Sequence, residues 1–272
     1  CMTEPSCGTD LGLIATSARR LAEGQYSLSG TKIFISGGDQ DITENIAHLV
    51  LARIEGAPTG VKGLSLFVCP KFNPNEAGGL GDRNAVRAVR LERKMGYHAI
   101  STCERVFDGA TAWLVGEPNR GLAAMFTMVN TARLLVALQG LGAAEAAYQN
   151  AALYARERLQ GRSLSGALFP DQRADPLIVH PDVRRILLSS RAFIESGRAL
   201  ALWLGLQIDL SQTGQTDDIR VRASDLAALL TPVVKALFSD LGFETCNNCM
   251  QVWGGHGYVR DNGMEQLVRD CR

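Results

Sequence analysis

The sequence predicts an α+β protein, with a small β-barrel or β-sandwich domain at residues 1–117 and an antiparallel bundle of long α-helices at residues 118–272. Two observations support this division. Short apolar, β-branched segments separated by turn residues fill the first part, as in small barrels and sandwiches. From about Gly121 the chain carries long stretches rich in Ala and Leu with few helix breakers, which is typical of a helical bundle.

The predicted strands are apolar segments bounded by turn formers such as Ala57-Pro58, Pro70 and Asp108-Gly109. They cover residues 26–36, 48–54, 64–68, 85–91 and 103–107. The stretch 73–83 is rich in Gly and Asn, so we expect a surface loop there.

The helical part begins with residues 121–160, which would form a helix roughly 60 Å long at 1.5 Å per residue. Pro181 suits the first turn of a second helix that reaches about Leu210. A third helix is expected at about 218–250, where Pro232 could kink it, and a fourth after Gly263. Because the helical pattern continues to Arg272 without a stop signal, we expect a truncated bundle.

Composition and charge narrow the classes of partner. The chain has 46% hydrophobic and 21% charged residues and a formal net charge of zero, so bulk electrostatics favours neither nucleic acid nor an anionic membrane. No uninterrupted apolar run approaches the ~20 residues of a membrane-spanning helix, and we expect a cytoplasmic protein without membrane insertion. Cys246 and Cys249 form an isolated C-x-x-C pair, for which small thiols in a reducing compartment are favoured over a metal or redox site.

Three segments are candidates for binding. Residues 2–10 combine hydroxyls, a proline and a glycine, as a loop that presents backbone N–H groups to an anion would, although an ordinary turn also fits. Phe34 and Ser36 are expected on one face of a strand, where they could stack on a flat ring and bind its edge. Taken alone, Phe34 is more typical of a core residue. Residues 250–258 form a glycine-rich turn suited to close approach of a ligand or to a tight helix connection.

A fourth segment partly mimics a dinucleotide-binding fingerprint. Gly140 and Gly142 lie within the long helical stretch, with no strand before them and no third glycine. Helix packing through small residues is therefore the favoured interpretation.

Taken together, the segments resemble the acyl-CoA dehydrogenase family. M-T-E-P-S-C-G-T-D at 2–10 is similar to the family's T-E-P-x-A-G-S-D loop, and K-I-F-I-S at 32–36 to its K-x-W/F-I-T/S strand. Arg156-Glu157-Arg158 is similar to its L-E-R-x-x-F-G region. Q-V-W-G-G-H-G-Y at 251–258 and Q-L-V-R-D at 266–270 follow in the family's order. The runs at 41–67, 121–130 and 157–163 are similar to larger bacterial members, a group that includes 3-methylmercaptopropionyl-CoA dehydrogenase.

The resemblance implies that FAD is the cofactor, and it assigns roles in the first domain. Thr3 and Ser36 would hydrogen-bond the flavin ring, and Phe34 would pack against it. Gly8 and Thr9 would meet the pyrophosphate.

In the helical part, the resemblance implies that Arg158 pairs with the pyrophosphate of a partner subunit's cofactor. Gln251 and Gly255 would line the adenosine diphosphate, and Arg133 would bind near the substrate and position the active-site loop. Leu159-Gln160-Gly161 departs from the family pattern, in which Thr and Phe follow the arginine.

The implied reaction is α,β-dehydrogenation of a short acyl-CoA thioester such as 3-methylmercaptopropionyl-CoA, with a place in fatty-acid or dimethylsulfoniopropionate catabolism. The implied partners are electron-transferring flavoprotein and further copies of the chain, in a homodimer or homotetramer.

The family's catalytic Glu is expected just beyond Arg272, which would leave this chain alone inactive. Ala132, beside Arg133, cannot act as a base, and Glu265 is a weak alternative. An acyl-CoA oxidase and a catalytically incomplete flavin-binding or scaffold fragment remain as rival interpretations.

Overall fold

The structure, a computed structural model, describes residues 1–22 and 24–272, apart from the side chains of residues 130 and 131. It divides into two compact units, Cys1–Val129 and Asn130–Arg272. The first unit is β-rich and the second is helical, so the predicted fold class is confirmed.

The first unit is built around a closed β-barrel. Its strands are β1 (Ser17–Arg20), β2 (Gln25–Ser36), β3 (Ala47–Ile54), β4 (Leu64–Pro70), β5 (Phe72–Pro74), β6 (Leu80–Arg83), β7 (Val86–Leu91) and β8 (Thr102–Val115). The order β2-β1-β3-β4-β8 closes on itself because β8 also pairs with β2, and β7 extends the sheet from β8. The β1–β3 pair is parallel, whereas β8 is antiparallel to each of its partners. Closure leaves few strand edges exposed.

Two strand predictions were wrong in instructive ways. The expected loop at 73–83 contains a small hairpin of β5 and β6, stabilised by the Asn75 side chain, which accepts from Gly79 N (2.8 Å) and donates to Leu80 O (3.1 Å). The expected break at Asp108-Gly109 is a bulge inside the long strand β8. There Gly109 has φ 76° and the register against β2 shifts by one residue.

The barrel is filled by apolar residues that alternate along its strands. Tyr26 and Phe67 meet edge to face at 5.0 Å within this core. A second apolar cluster joins Leu51 and Leu66 to Met125, in the first turns of the following helix. This packing explains why the compact unit extends to Val129, beyond the predicted boundary at residue 117.

The helices follow the predicted order: α1 (Gly121–Glu157), α2 (Pro181–Thr213), α3 (Asp217–Val252) and α4 (Met264–Cys271). Pro181 is the first residue of α2, and the Thr216 side chain caps α3 by accepting from Ile219 N. Pro232 lies inside α3 without ending it.

In the second unit α1 and α3 approach closely through two glycines. A Cβ added to Gly140 would lie 2.4 Å from the Phe238 carbonyl oxygen, and one added to Gly242 would lie 2.7 Å from the Gly140 carbonyl oxygen. The helix-packing interpretation of Gly140 is therefore confirmed. The core around this contact includes Ile194 and Leu204 of α2.

Long parts of the helices are apolar yet exposed. On length and composition alone, α1 and α3 each contain an 18-residue window that could cross a membrane, and only 19% and 22% of these windows are buried. Leu188 and Leu202 on α2 are 70% and 71% exposed. These helices therefore present apolar surface that nothing in the unit covers, within the part of the chain that the structure describes.

Candidate functional site

The end of β2 carries an exposed aromatic residue in an unusual conformation. The register between β2 and β8 shifts between Lys32 and Ile35, which leaves one extra residue on β2. Phe34 lies within this bulge, with φ 58° and an exposed fraction of 60%. A non-glycine residue in the left-handed region costs on the order of 1–3 kcal/mol, so the surroundings must hold it there. Phe34 is thus displayed at the surface, not packed in the core. Ser36 is exposed as well.

The N-terminal loop lies beside this bulge. Thr3 O accepts a hydrogen bond from Ile33 N (3.0 Å), which joins the loop to β2. Glu4 and Cys7 then close a turn through two backbone hydrogen bonds of 2.9 and 3.0 Å. Gly8 and Thr9 follow in an exposed position, and a Cβ on Gly8 would meet nothing within 4 Å. The structure therefore brings the Thr3 backbone to the bulge and leaves Gly8 open to a ligand.

A buried ion pair fixes the loop to the barrel. Lys32 Nζ donates to Glu4 Oε1 (2.8 Å) and to Met2 O (3.0 Å), and both side chains of the pair are nearly inaccessible. The Glu4 carboxylate also accepts from Ala15 N (2.8 Å) and from the backbone N–H and hydroxyl of Thr16. Burial alone would raise the pKa of Glu4, but hydrogen bonds from Lys32, Thr16 and Ala15 outweigh it and lower this pKa.

The second unit contains a pocket of about 420 Å³ where the end of α1 meets the end of α3. Arg158, Gln251 and Gly255, all predicted to bind the cofactor, line this one pocket. They come from separate parts of the sequence, so their meeting is decided by the packing of the helices.

Arg158 is suited to binding an anion in this pocket. Its side chain is exposed, and among the described residues its guanidinium has no hydrogen-bond or ion-pair partner. The backbone holds it in place, since its N–H donates to Tyr154 O (2.8 Å) and its carbonyl accepts from Leu177 N (2.9 Å). A permanent charge on a planar fork matches a phosphate group.

The loop after Arg158 is organised by one carboxylate. Asp175 accepts from Ser163 N (2.9 Å), Leu168 N (3.2 Å) and Phe169 N (2.8 Å), and it pairs with Arg162. The backbone hydrogen bond from Ser163 and its companions lower the pKa of Asp175 to about 2. The segment that departs from the family pattern, Leu159 to Gly161, is therefore held in an ordered loop.

Three ring side chains of the pocket, Tyr154, Trp253 and His256, were given no role by the sequence analysis, although the last two lie in the segment 250–258 that it singled out. The Tyr154 ring stacks on Trp253 with a centroid distance of 4.2 Å and an angle of 14°, and its hydroxyl lies 3.4 Å from His256 Nδ1. Tyr154 lies one helical turn before Arg158, and this i, i+4 spacing was the available signal. Gly257 packs tightly, since an added Cβ would lie 2.4 Å from Met250 O. The glycine-rich turn is thus both a tight connection and a pocket wall.

Arg133 and Glu265 do not line this pocket. Arg133 is half-buried on α1. Glu265 accepts a hydrogen bond from Arg269 Nη2 (3.1 Å) one turn along α4, so its carboxylate is engaged in an ion pair.

The C-x-x-C pair belongs to the helical core. Cys246 and Cys249 are fully buried, and burial raises the pKa of the Cys249 thiol. Across the described ranges, 1–22 and 24–272, no group of three or more His, Cys, Asp or Glu residues is arranged to hold a metal ion.

Comparison with known proteins identifies the family. Residues 119–272 match the acyl-CoA dehydrogenase C-terminal domain, and residues 1–110 match the acyl-CoA dehydrogenase middle domain. The chain belongs to the acyl-CoA dehydrogenase family. The resemblance of the sequence motifs is thereby confirmed, and acyl-CoA dehydrogenases are FAD-binding flavoproteins.

Two bacterial relatives of this acyl-CoA dehydrogenase chain are similar over its full length. It is 45% identical to 3-methylmercaptopropionyl-CoA dehydrogenase of Ruegeria pomeroyi, covering 100% of this chain and 45% of that protein. It is 38% identical to a broad-specificity linear acyl-CoA dehydrogenase of Mycobacterium tuberculosis, covering 100% of this chain and 46% of that protein. The chain thus spans about half the length of the curated relatives it matches.

Several solved structures share its fold. Caenorhabditis elegans ACDH-11 in complex with C11-CoA has a TM-score of 0.83 at 28% identity, covering 99% of this chain and 42% of that one. A chain in the structure of the electron transferring flavoprotein of Acidaminococcus fermentans has a TM-score of 0.76 at 27% identity, covering 99% and 61%. A Bacillus anthracis acyl-CoA dehydrogenase complexed with FAD shows the same fold at 24% identity and a TM-score of 0.78, covering 100% and 43%.

The Glu4–Lys32 pair generates a prediction about stability. Glu4→Ala leaves the Lys32 ammonium buried without its counter-charge, and we expect the free energy of unfolding at pH 7 to fall by about 3–5 kcal/mol. Urea denaturation measures this change. Glu44→Ala, which removes an exposed carboxylate, should change the same quantity by less than ~0.5 kcal/mol.

The stability difference between the parent protein and Glu4→Ala is also expected to depend on pH. Because the folded pKa of Glu4 lies below its ordinary value of 4.5, its contribution is complete above that pH and is lost as the pH falls through the folded pKa. The difference between parent and Glu4→Ala should therefore narrow in acid. A difference that stays constant from neutral to strongly acidic pH would contradict this assignment.

Proposed function

We propose that the protein carrying this chain is an FAD-dependent acyl-CoA dehydrogenase that oxidises the Cα–Cβ bond of a short acyl-CoA thioester. The observation that carries the proposal is the meeting of Arg158, Gln251 and Gly255 in one pocket, at positions expected to bind the cofactor. The 45% identity to 3-methylmercaptopropionyl-CoA dehydrogenase makes that thioester the first substrate to test, and dimethylsulfoniopropionate catabolism the proposed context.

The residues of the second unit fit the adenosine diphosphate part of FAD. Arg158 offers an unpaired guanidinium to the pyrophosphate. Gly254 and Gly255 have no side chains that would keep a ligand from the backbone. A Cβ added to either glycine would meet nothing within 4 Å. The Gln251 amide adds a donor and an acceptor. We propose that these groups bind the cofactor of a neighbouring subunit.

The residues of the first unit fit the flavin end. The exposed Phe34 ring offers a flat apolar surface, and the Thr3 and Ser36 hydroxyls can bind a polar ring edge. Gly8 and Thr9 lie in the open part of the loop and are proposed to meet the pyrophosphate.

When bound, FAD would supply the acceptor for the hydride that leaves the β-carbon. The chain itself binds and orients the cofactor, and we propose that Arg133 positions the substrate side of the site. The base that removes the α-proton is proposed to lie beyond Arg272. We assign Glu265 a structural role, because its carboxylate already pairs with Arg269.

We propose that the apolar faces of the long helices are covered by further copies of the chain, in a dimer or tetramer. Leu188 and Leu202, which are 70% and 71% exposed, support association through α2. Light scattering of the purified protein distinguishes the two assemblies. We also propose that the protein is cytoplasmic. Recovery of the protein in the membrane fraction would instead indicate that the apolar windows of α1 and α3 contact lipid.

Activity is tested on the protein at its native length. Short acyl-CoA thioesters, including 3-methylmercaptopropionyl-CoA and butyryl-CoA, are supplied anaerobically with electron-transferring flavoprotein as acceptor. We expect formation of the enoyl-CoA product together with reduction of the acceptor. Flavin binding without turnover of any thioester would favour a catalytically incomplete protein.

The oxidase alternative is separated by the same protein in air. A dehydrogenase is expected to reoxidise slowly without its acceptor. Rapid reoxidation with one peroxide formed for each enoyl-CoA would identify an oxidase and contradict the dehydrogenase proposal.

Arg158 provides a residue-level prediction. Arg158→Ala removes the cation from the pocket, so we expect FAD affinity to fall roughly 10- to 100-fold, the usual range for a charge-assisted hydrogen bond. Fluorescence titration of the apoprotein with FAD measures it. Arg156→Ala is the matched control, because Arg156 is an exposed arginine of the same helix end that does not line the pocket.

If the two variants bound FAD with equal affinity, the assignment of Arg158 to the binding site would be wrong. Unfolding curves of both variants should remain close to that of the parent, because neither guanidinium contributes to the core.

A further inference from the structure

Arg105 is a fully buried cation at the bulge that displays Phe34. It lies on β8 directly opposite Lys32, at the point where the register of β2 and β8 begins to shift. The side chains of both residues are inaccessible to solvent. Two buried cations are therefore partners in the register of the strand pair, and each needs its own counter-charge: Lys32 contacts Glu4, and Arg105 contacts Asp39.

The Arg105 side chain reaches the turn that follows β2. Its Nη1 donates to Gly38 O (2.6 Å) and to Asp39 Oδ2 (3.2 Å), while Nη2 donates to His48 Nε2 (2.8 Å). Burial and the adjacent Arg105 charge lower the pKa of His48 to about 4, so that the ring is a neutral acceptor. Arg105 thus connects β8 to the turn and to β3.

The turn is also tied down by its other contacts. Gly37 N donates to Ser101 O (2.7 Å), and Ser101 Oγ donates to Asp39 O (2.8 Å). Lys71 Nζ donates to Asp39 Oδ1 (2.6 Å). Gly38 has no room for a side chain, because an added Cβ would lie 2.9 Å from Cys103 Cβ. The end of β2 is therefore over-determined, as a strained residue beside it requires.

Stability alone does not account for a charge at position 105. Arg105 Nε is buried without a hydrogen-bond partner in the part of the chain that the structure describes. A buried ion pair with an unsatisfied donor is often no more stable than apolar residues of similar volume. What an apolar residue could not supply is the pair of hydrogen bonds from Nη1 to the Gly38 carbonyl and the Asp39 carboxylate, two and three residues after Ser36.

We propose that Arg105 is a positioning residue for the cofactor: by binding Gly38 and Asp39 it holds Phe34 and Ser36 in the conformation that receives the flavin ring. The proposal rests on the proposed function, since it assigns the task of this cluster to that same site. Arg105 itself is buried and acts through the turn, without touching the cofactor.

The test compares Arg105→Met, which keeps an unbranched stem but removes the charge and the hydrogen-bond donors, with Arg105→Lys. Two quantities are measured on the native-length protein: FAD affinity of the apoprotein, and the rate at which chymotrypsin cleaves the apoprotein after Phe34, identified by fragment mass. Cleavage needs local opening of the bulge, so it reports on positioning without any cofactor.

For Arg105→Met we expect about tenfold weaker FAD binding and about tenfold faster cleavage after Phe34, as for loss of one charged hydrogen-bonding group. The visible absorption band of the bound flavin should also lose fine structure. Arg105→Lys keeps a donor that can reach the Gly38 carbonyl or Asp39, and it should restore most of both quantities.

Val86→Ala is the control for a purely structural effect, because Val86 is buried in the same sheet on β7 and its apolar side chain has no group that could hydrogen-bond to the turn. Its urea midpoint is compared with that of Arg105→Met. We expect Val86→Ala to lower stability while leaving FAD affinity and cleavage after Phe34 near the parent values.

The outcomes distinguish failure of the proposed function from failure of the positioning role of Arg105. If the parent protein does not bind FAD, the proposed function fails, whereas the cleavage rates still decide whether Arg105 holds Phe34. If the parent binds FAD and Arg105→Met matches it in affinity and cleavage, the positioning role is overturned. Val86→Ala reproducing both changes of Arg105→Met would overturn it as well.

Discussion

The first unit depends on how two buried cations are accommodated at one bulge. Lys32 and Arg105 are register partners on β2 and β8, and each is neutralised by a carboxylate from a different segment. Glu4 brings the N-terminal loop to Lys32, and Asp39 brings the turn after β2 to Arg105. Because an uncompensated charge in the interior is very costly, neither segment can move away without a large loss of stability. The cations therefore fix the segments on both sides of Phe34.

This arrangement explains how the unit holds a strained residue at its surface. Phe34 has a left-handed backbone and exposes most of its ring, two features that local preferences oppose. The neighbouring hydrogen bonds, from Ile33 to Thr3 and from Arg105 to Gly38, restrict the chain on either side of it. A displayed aromatic ring on a rigid strand end loses little conformational freedom when a flat ligand binds.

The second unit forms its pocket by different means. Because Gly140 and Gly242 have no side chains, the backbones of α1 and α3 approach each other closely at these two residues. The pocket then forms where these helices end, and it gathers Arg158, the residue after α1, with Gln251 from α3. The aromatic stack of Tyr154 on Trp253 joins the same two elements and gives the pocket a rigid wall. The same two helices thus supply both the close packing at Gly140 and Gly242 and residues that line the pocket.

Much of this could be predicted from the sequence alone. Apolar alternation and the scarcity of breakers determined the fold class, most strands and the four helices, because these signals are local. The motifs around Thr3, Phe34, Arg158 and Gln251 determined the family and the cofactor class. Strand β1 and the β5–β6 hairpin were missed, because Ser17–Arg20 carries little apolar pattern and the hairpin is closed by the Asn75 side chain. Only the tertiary structure decided that Phe34 is displayed in a bulge, that Tyr154 and Trp253 wall the pocket, and that Arg105 reaches Gly38. Each of these depends on residues far apart in the chain, and their meeting is determined by register and helix packing, which no local pattern encodes.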